Sequence, residues 1–244
     1  MSNYDLLLNP VYINKMRLKN RMILSPMGTF TPMQDGTDSE EGIRYYEERA
    51  KGGAGMISTG AMFTSPELAQ GSPTIAVWDH RSIPKQTVMI ERCHRWGAKV
   101  CLQLSCGTGR NGVLLPGVDT LVSASADPSF YNPDLICREM TKEEIEADLA
   151  NWRLCAQYML LSGYDAIEIH AHAGYLIDQF MSEVWNKRTD EYGGRTLEDS
   201  VKIIPIFLIS VSNIIICVEY SVSCLYNMLL HFVSISYRRL CQYL

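Results

Sequence analysis

The amino-acid sequence predicts an α/β protein whose parallel sheet is part of a (β/α)8 barrel. Three observations support this fold class. Short apolar runs alternate with amphipathic segments four times within the first 202 residues, a pattern typical of strand-helix units. No helix opens with the G-x-G-x-x-G pattern of a doubly wound dinucleotide-binding sheet, which is the main alternative. Polar and aromatic residues gather just after the strands, where barrel active sites lie.

The first unit begins with a short apolar strand. Residues 22–27 (Met-Ile-Leu-Ser-Pro-Met) are predicted to form a buried strand that leads into a loop. Ser39 is a typical N-cap, and the two glutamates after it suit the positive end of a helix. Ile43, Tyr46 and Ala50 then recur at helical spacing, which predicts a helix with one buried face.

Three further units follow in the same order. Residues 55–60, 99–104 and 166–171 are predicted strands, and residues 84–95 are predicted to form a helix. Thr141-Lys-Glu-Glu144 is a capping box that opens another helix. Each strand is too apolar to expose one face to water. The sequence therefore predicts a parallel sheet covered by helices.

Composition and charge exclude several classes of function. The net charge is −5 and the isoelectric point is near 5.6, which argues against nucleic acid or an anionic membrane as a partner because those surfaces recruit excess Lys and Arg. The eight cysteines never form a C-x-x-C pair, so no zinc or cluster motif is predicted. With no signal-peptide pattern at the start, we predict reduced thiols in a cytoplasmic protein.

Residues 203–244 have a different composition from residues 1–202. They contain 3 of the 49 charged side chains, no glycine, and 28 apolar residues out of 42. Their first uncharged run, Ile203 to Val218, is interrupted by Pro205 and is short for a membrane span. We therefore predict that residues 1–202 form one unit and that residues 203–244 are an anomalous tail, of the kind that a frameshift or a truncation produces.

His170, His172 and Tyr175 are the strongest catalytic candidates in the sequence. A His at a strand end can donate a hydrogen bond to a carbonyl oxygen, and a nearby Tyr hydroxyl can deliver a proton. Together they suit polarisation of a carbonyl and protonation of a neighbouring carbon. In the alternative interpretation, His170 and His172 point to opposite faces of their segment, and one of them only packs against a helix.

Three other features have both a functional and a structural interpretation. The amide of Gln103 offers a donor and an acceptor to a pyrimidine-like ring edge, or it is a structural hydrogen-bonding group. Gly28, after Pro26-Met27, lets backbone groups approach a flat ring, or it only forms a turn. Arg188 and Asp190 are predicted to lock a loop through a charge-assisted pair.

Four motifs in order resemble those of the old yellow enzyme family of FMN-dependent NADH:flavin oxidoreductases, from about residue 5 to residue 199. Two of them, LQLSCGTGR and HAHAGYLIDQF, are most similar to clostridial 2-enoate and bile-acid-type reductases. The motifs are Asn20-Arg-Met-Ile-Leu-Ser-Pro-Met27, Leu102-Gln103-Leu104 with Gly109-Arg110, Glu168-Ile-His-Ala-His-Ala-Gly-Tyr-Leu-Ile-Asp-Gln-Phe180, and Asn186-Lys-Arg-Thr-Asp-Glu-Tyr-Gly-Gly194.

The resemblance implies an FMN-binding (β/α)8 barrel, of which this chain carries the N-terminal half followed by a tail outside the family. It implies that NADH or NADPH reduces the flavin, and that a hydride then adds to the β-carbon of an α,β-unsaturated carbonyl compound. By resemblance, the residues that line the flavin are Ser25, Pro26, Met27, Gly28, Gly60 and Gln103. His170 matches the first residue of a pair that binds the substrate oxygen, Tyr175 matches the proton donor, and Phe30 matches an aromatic residue over the substrate pocket.

The sequence departs from the family pattern at several positions. Gly28 stands where many members have a Cys or Thr that tunes the flavin. Ala173 stands at the second oxygen-binding position, usually His or Asn, and His172 is a candidate substitute although strand alternation works against it. The flavin-binding Arg and the phosphate-binding loops are expected beyond residue 205, and the iron–sulfur segment of longer members has no counterpart in this sequence.

Two alternative functions remain beside reduction of an enoate or enone. The same family includes flavin amine dehydrogenases and NADH oxidases, and this chain is alternatively an inactive fragment of such an enzyme. The expected partner is a small unsaturated carbonyl compound, with no nucleic acid and no membrane. The sequence does not predict the oligomeric state.

Overall fold

The computed structural model describes residues 4–69, 72–114, 116 and 119–193, and the backbone of residues 215–220. The helices are α1 (Asp5–Leu8), α2 (Glu40–Lys51), α3 (Pro66–Ala69), α4 (Ile83–Arg95), α5 (Lys142–Ser162) and α6 (Leu176–Met181). The strands are β1 (Val11–Ile13), β2 (Met16–Leu18), β3 (Ile23–Met27), β4 (Met56–Thr59), β5 (Met62–Phe63), β6 (Lys99–Ser105), β7 (Val122–Ser123), β8 (Arg138–Glu139), β9 (Ala166–Ala171) and β10 (Ile215–Tyr220).

The four predicted strands form one parallel sheet in chain order. β3 pairs with β4, β4 with β6, and β6 with β9, each in parallel. β5 pairs with the end of β6. Because each strand lies beside the next and is followed by at least one helix, the arrangement is the consecutive winding of a barrel. The predicted α/β class and its four units are confirmed.

The predicted helix starts are also confirmed. Ser39 Oγ accepts a hydrogen bond from the Gly42 N–H at 3.1 Å at the start of α2. At the start of α5, Thr141 Oγ1 accepts from the Glu144 N–H at 3.2 Å, and the Glu144 carboxylate accepts from the Thr141 N–H at 2.8 Å. These bonds satisfy N–H groups that the first turn of a helix leaves without backbone partners.

The apolar core lies between the sheet and helices α2, α4 and α5. Alternation along a strand sends Leu102 of β6 and Ile167 of β9 toward the helices, where Trp152 of α5 is also fully buried. Burying side chains of this size removes enough apolar surface from water to be the main stabilising contribution of this layer.

The opposite face of the sheet is closed at one end by the β1–β2 hairpin. Met16 and Leu18 of the hairpin pack against Met56, Cys101 and Ala166 at the amino-terminal ends of β4, β6 and β9. The apolar cluster fills this end of the inner face. Polar side chains farther along the same strands are therefore brought together at the carboxyl ends.

One prediction about the sheet is wrong: β3 is not buried on both faces. Ile23, Ser25 and Met27 are exposed. These three side chains lie on one face of β3. That strand is at the edge of the described sheet, and no other described strand covers this face of it.

Most of residues 203–244 lie outside the described residues. Within them, β10 pairs in parallel with β9, from Ile215 opposite Ala166 to Tyr220 opposite Ala171. The predicted boundary at residue 202 and the origin of the tail stay predictions. No helix in the described ranges has the length and apolar character that crossing a membrane requires, and these ranges place no group of three or more potential metal-ligating side chains together.

A buried acid, Asp148, lies between α5 and the sheet. It is 4% exposed, and one of its carboxylate oxygens accepts a hydrogen bond from the Thr64 hydroxyl. Burial raises the pKa of Asp148 to about 7, and the bonds from Thr64 and Cys106 only partly offset that effect. The folded protein therefore holds a proton on this acid that the unfolded chain releases near pH 4.

Asp148 is expected to make the protein less stable as the pH rises. The pKa of Asp148 is higher in the folded protein than in the unfolded chain. Its stabilising contribution to the unfolding free energy is therefore fully present below about pH 4 and is lost as the pH rises through about 7. The difference in unfolding free energy between Asp148→Asn and the wild type should shift in favour of the variant by about 2 to 3 kcal/mol when the pH is raised from 5 to 8. Urea unfolding at the two pH values measures this difference. Glu146→Gln, an exposed substitution on the same helix, is the control, and parallel pH curves for Asp148→Asn and the wild type contradict the expectation.

Candidate active site

A cavity of about 270 Å³ opens at the carboxyl ends of β3, β4, β6 and β9. Eight of the ten residues predicted from the sequence line it: Pro26, Met27, Gly28, Phe30, Gly60, Gln103, His170 and Tyr175. The other two do not. Ser25 is exposed on β3, and the ring of His172 stacks on that of His170.

Gly60 allows the ends of β3 and β4 to come together at the cavity. A Cβ atom on Gly60 would lie 2.3 Å from Gly28 Cα and 2.4 Å from Gly28 N. These separations are too short for non-bonded atoms, so only glycine fits at this position. The Tyr46 hydroxyl fixes this contact, because it donates to the Met27 carbonyl at 3.0 Å and accepts from the Gly60 N–H at 3.0 Å. The sequence marked Tyr46 only as a buried helix position, and nothing in its spacing revealed the second role.

Phe30 covers the space that Gly28 leaves. A Cβ atom on Gly28 would lie 3.0 Å from the tip of the Phe30 ring, so the absent side chain is what gives the ring its place. Phe30 has a left-handed backbone, with φ 54°, and is 66% exposed. The ring lines the cavity, and its place over a substrate pocket stays a prediction.

His170, His172 and Tyr175 form one stack of rings. The centroids of His170 and His172 are 4.1 Å apart, and those of His170 and Tyr175 are 4.3 Å apart. The alternative that the two histidines point to opposite faces is wrong. Side chains two apart along a strand lie on the same face, and His172 follows the end of β9 at Ala171 directly, before left-handed backbone at Ala173 and Gly174 reverses the chain.

His170 and Tyr175 offer the cavity two uncharged hydrogen-bond donors. Burial, and then the neighbouring His172, lower the pKa of His170 to about 3. Its Nδ1 atom is buried and has no hydrogen-bond partner among the residues that the structure describes. Burial, and then the charge of Tyr131, raise the pKa of Tyr175, so its hydroxyl keeps its proton at neutral pH. A buried imidazole nitrogen without a partner is unusual in a folded protein.

The turn that presents Tyr175 is held by three side chains. Asn111 donates to the Ala173 carbonyl at 3.0 Å, Asp178 accepts from the Gly174 N–H at 2.7 Å, and Gln179 donates to the Gly174 carbonyl at 2.6 Å. Left-handed backbone at a residue with a side chain, such as Ala173, is unfavourable by about 1 kcal/mol or more. These bonds hold the turn in that conformation.

Gln179 joins this turn to the loop after β6. Its amide nitrogen also donates to the Thr108 carbonyl at 3.2 Å, and its oxygen accepts from the Arg110 N–H at 3.3 Å and from Ser123 Oγ at 2.9 Å. The side chain is fully buried. All donors and acceptors of the amide are therefore used, and three segments of the site depend on one residue.

Replacing Gln179 is expected to loosen the site and destabilise the protein. Gln179→Leu leaves several buried backbone groups without partners, so we expect a loss of about 2 to 4 kcal/mol in unfolding free energy. Urea unfolding measures the loss. Gln157→Leu, at an exposed position on α5, is the control and should change stability by less than about 0.5 kcal/mol. Equal effects of the two substitutions would show that Gln179 does not join these segments.

Asp38 is a second buried acid, which the sequence did not single out, and it lines the cavity. Asp38 is 3% exposed and accepts a hydrogen bond from the Gln86 amide, which in turn accepts one from the Tyr164 hydroxyl. Burial raises the pKa of Asp38 to about 6. The sequence places this Asp in a turn before a helix, where an exposed side chain is the ordinary expectation.

The predicted Arg188–Asp190 pair is confirmed, with a structural role. Arg188 Nε and Nη2 donate to the two Asp190 oxygens at 3.0 and 2.6 Å. Nη1 donates to the carbonyls of Ala124 and Met140. Arg188 is 4% exposed and does not line the cavity, so the pair locks the loop after α6 onto the loop after β6.

A sequence model of the NADH:flavin oxidoreductase / NADH oxidase family matches residues 6–201. The chain belongs to this family. The solved structures that it resembles are (β/α)8 barrels of the old yellow enzyme type, which confirms the predicted fold class.

Individual relatives are reductases and dehydrogenases. The chain is 38% identical over 207 residues to a cinnamate reductase from Clostridium sporogenes, covering 82% of this chain and 31% of the relative. It is 36% identical over 188 residues to an NADPH dehydrogenase from Halalkalibacterium halodurans, covering 77% and 54%. The structure of morphinone reductase in complex with tetrahydroNAD matches with a TM-score of 0.78 and 25% identity, over 88% of this chain and 63% of that one. The chain thus spans about a third to just over half the length of these curated relatives.

Proposed function

We propose that the chain is the substrate-binding and ring-binding part of an FMN-dependent oxidoreductase. In this proposal NADH or NADPH is the reductant, and the carbon–carbon double bond of a small α,β-unsaturated carbonyl compound is reduced. The observation that carries the proposal is the stack of His170 and Tyr175 facing the same cavity as Gly60 and Gln103. The cytoplasmic setting predicted from the sequence is part of the same proposal.

The residues around the cavity suit a flat flavin ring. The contact between Gly28 and Gly60 leaves backbone without side chains at one wall, and a Cβ on Gly60 would disrupt it. Gln103 offers an amide to the polar edge of the ring. The residues proposed to hold the ring are therefore Pro26, Met27, Gly28, Gly60 and Gln103. When bound, FMN supplies a hydride acceptor and donor, which no side chain can provide.

The protein's own contribution is to orient and polarise the substrate. The uncharged His170 donates an imidazole N–H to the substrate carbonyl oxygen and stabilises the negative charge that develops there. The Tyr175 hydroxyl, which is protonated at neutral pH, delivers its proton to the α-carbon. His172 packs against the face of His170 and fixes the orientation of that ring.

The relatives support the substrate class. The name of the Clostridium sporogenes relative denotes reduction of cinnamate, an unsaturated carboxylic acid, and that of the Halalkalibacterium halodurans relative denotes NADPH oxidation. Both chemistries suit a cavity in which the uncharged hydrogen-bond donors His170 and Tyr175 lie beside the proposed flavin-binding residues Gly28 and Gly60.

Anaerobic reduction and reoxidation of the FMN-loaded protein test the proposal. We expect NADPH or NADH to bleach the flavin absorbance, and cinnamate or 2-cyclohexenone to restore it with formation of the saturated product. Trimethylamine, offered to the oxidised protein, tests the amine dehydrogenase alternative. Bleaching by the amine and no reoxidation by either unsaturated compound would contradict the proposal.

A further inference from the structure

Asp38 places an acidic group in the wall of the cavity, where the proposed chemistry does not use it. Of the described residues that line the cavity, Asp38 alone has a carboxyl, ammonium or guanidinium group. His170 is uncharged at neutral pH and Tyr175 keeps its proton. Asp38 is also 3% exposed, so little water screens its charge. Its ionised form therefore acts electrostatically on any ligand that occupies the cavity.

The Asp38 carboxylate is held by a chain of neutral hydrogen-bond donors. Gln86 Nε2 donates to Asp38 Oδ2, and the Tyr164 hydroxyl donates to the amide oxygen of Gln86. The cation that acts on Asp38 is Lys85, an exposed residue at the start of α4. The ion pairs among the residues that the structure describes do not include Asp38, whose contacts are with Gln86 and its own backbone N–H. Once ionised, the acid therefore keeps its negative charge without a paired cation.

Tyr46 connects Asp38 to the wall that is proposed to hold the flavin ring. The Tyr46 hydroxyl bridges the Met27 carbonyl and the Gly60 N–H, with both bonds at 3.0 Å. Burial raises the pKa of this hydroxyl, and the negative charge of Asp38 raises it further. The charge of Asp38 thus reaches Tyr46 through the protein interior. A ring that lies against Met27 and Gly60 is exposed to the same charge.

We propose that Asp38 lowers the reduction potential of the bound flavin and so makes the reduced ring a stronger hydride donor. In the proposed function, on which this inference rests, the ring occupies this cavity. Two-electron reduction increases the negative charge on the ring, and a fixed negative charge nearby disfavours that change. Asp38 acts through its charge and does not have to contact the ring.

Potentiometric titration of the FMN-loaded full chain tests this effect without turnover. Asp38→Asn keeps the shape of the side chain and an oxygen that accepts from Gln86, but removes the charge. At pH 8 we expect the variant to favour reduced flavin about tenfold more than the wild type does, which is a potential about 30 mV higher for a two-electron couple. Glu41→Gln removes an exposed charge of the same sign from α2. This control should change the equilibrium by less than about twofold, because water and salt screen the charge.

The pH dependence of the difference separates charge from packing. Burial raises the pKa of Asp38 to about 6, against the opposing effect of the bond from Gln86. At pH 5 the wild-type acid is mostly uncharged, so its flavin equilibrium and that of Asp38→Asn should agree within about twofold. The difference should then grow as the pH rises from 5 to 8. The neighbouring side chains Lys85, Tyr46 and Tyr164 do not change charge in this range, since burial raises the pKa of both tyrosines.

The outcomes distinguish this inference from the proposed function. A folded wild type that binds no FMN overturns the proposed function and the inference with it. A wild type that binds FMN overturns only the inference if Asp38→Asn leaves the potential unchanged at pH 8, or shifts it equally at pH 5 and pH 8. Should Asp38→Asn fail to fold, Asp38→Ser removes the same charge, and the same two results in that variant overturn the inference.

Discussion

Tyr175→Phe is expected to slow reduction of the carbon–carbon double bond by about 100-fold or more, within the range that a positioned general acid contributes. The substitution removes the hydroxyl that delivers a proton to the substrate α-carbon and keeps the ring that packs on His170, with its centroid 4.3 Å away. Binding of FMN and its reduction by NADPH use neither the hydroxyl nor its proton. Those steps should therefore stay within about twofold of the wild type.

Anaerobic stopped-flow absorbance separates the two half-reactions. Tyr131→Phe is the matched control, because Tyr131 influences the pKa of Tyr175 but is 69% exposed. It should leave both half-reactions nearly unchanged. If Tyr175→Phe slowed flavin reduction as much as reoxidation by the unsaturated substrate, Tyr175 would have a structural role and not the role of proton donor.

Gly60→Ala is expected to weaken FMN binding more than any other single methyl group added to the site. The added Cβ would lie 2.3 Å from Gly28 Cα and 2.8 Å from the Met27 carbonyl carbon, and these are backbone atoms that cannot rotate away. The ends of β3 and β4 must separate, which breaks the bridge made by the Tyr46 hydroxyl. We expect a loss of about 2 to 3 kcal/mol in unfolding free energy and at least about a 30-fold weaker FMN affinity.

Gly28→Ala provides the comparison for Gly60→Ala. Its added Cβ meets only the tip of the exposed Phe30 ring, at 3.0 Å, and a flexible side chain can move aside. Its effect on FMN affinity should be about tenfold smaller than that of Gly60→Ala. Equal losses in the two variants would mean that the backbone contact between Gly28 and Gly60 is not what shapes the cavity.

The sequence predicted much of the site because parallel strands bring their carboxyl ends together. Once Gly60, Gln103 and His170 were placed at the ends of successive strands, their convergence followed from the topology alone. The capping box at Thr141 was predictable for a similar reason, since the pattern satisfies backbone groups locally and does not depend on distant contacts.

The rest of the site depends on contacts that no local pattern specifies. The left-handed backbone at Ala173 has no signal in the sequence, because alanine disfavours it and only the bonds from Asn111, Asp178 and Gln179 maintain it. The stacking of His172 on His170 was not predicted either, although side chains two apart along a strand lie on the same face and the spacing therefore allowed it. The role of Tyr46 was missed because helical spacing identifies a buried side chain but not the partner of its hydroxyl.

Titration of the full chain with FMN, followed by flavin absorbance and fluorescence, tests whether the carboxyl ends of β3, β4, β6 and β9 form a flavin-ring site. We expect saturable binding with a perturbed flavin spectrum, and marked weakening of that binding in folded Gly60→Ala. A folded wild-type chain that leaves the absorbance and fluorescence of FMN unchanged throughout the titration would contradict it.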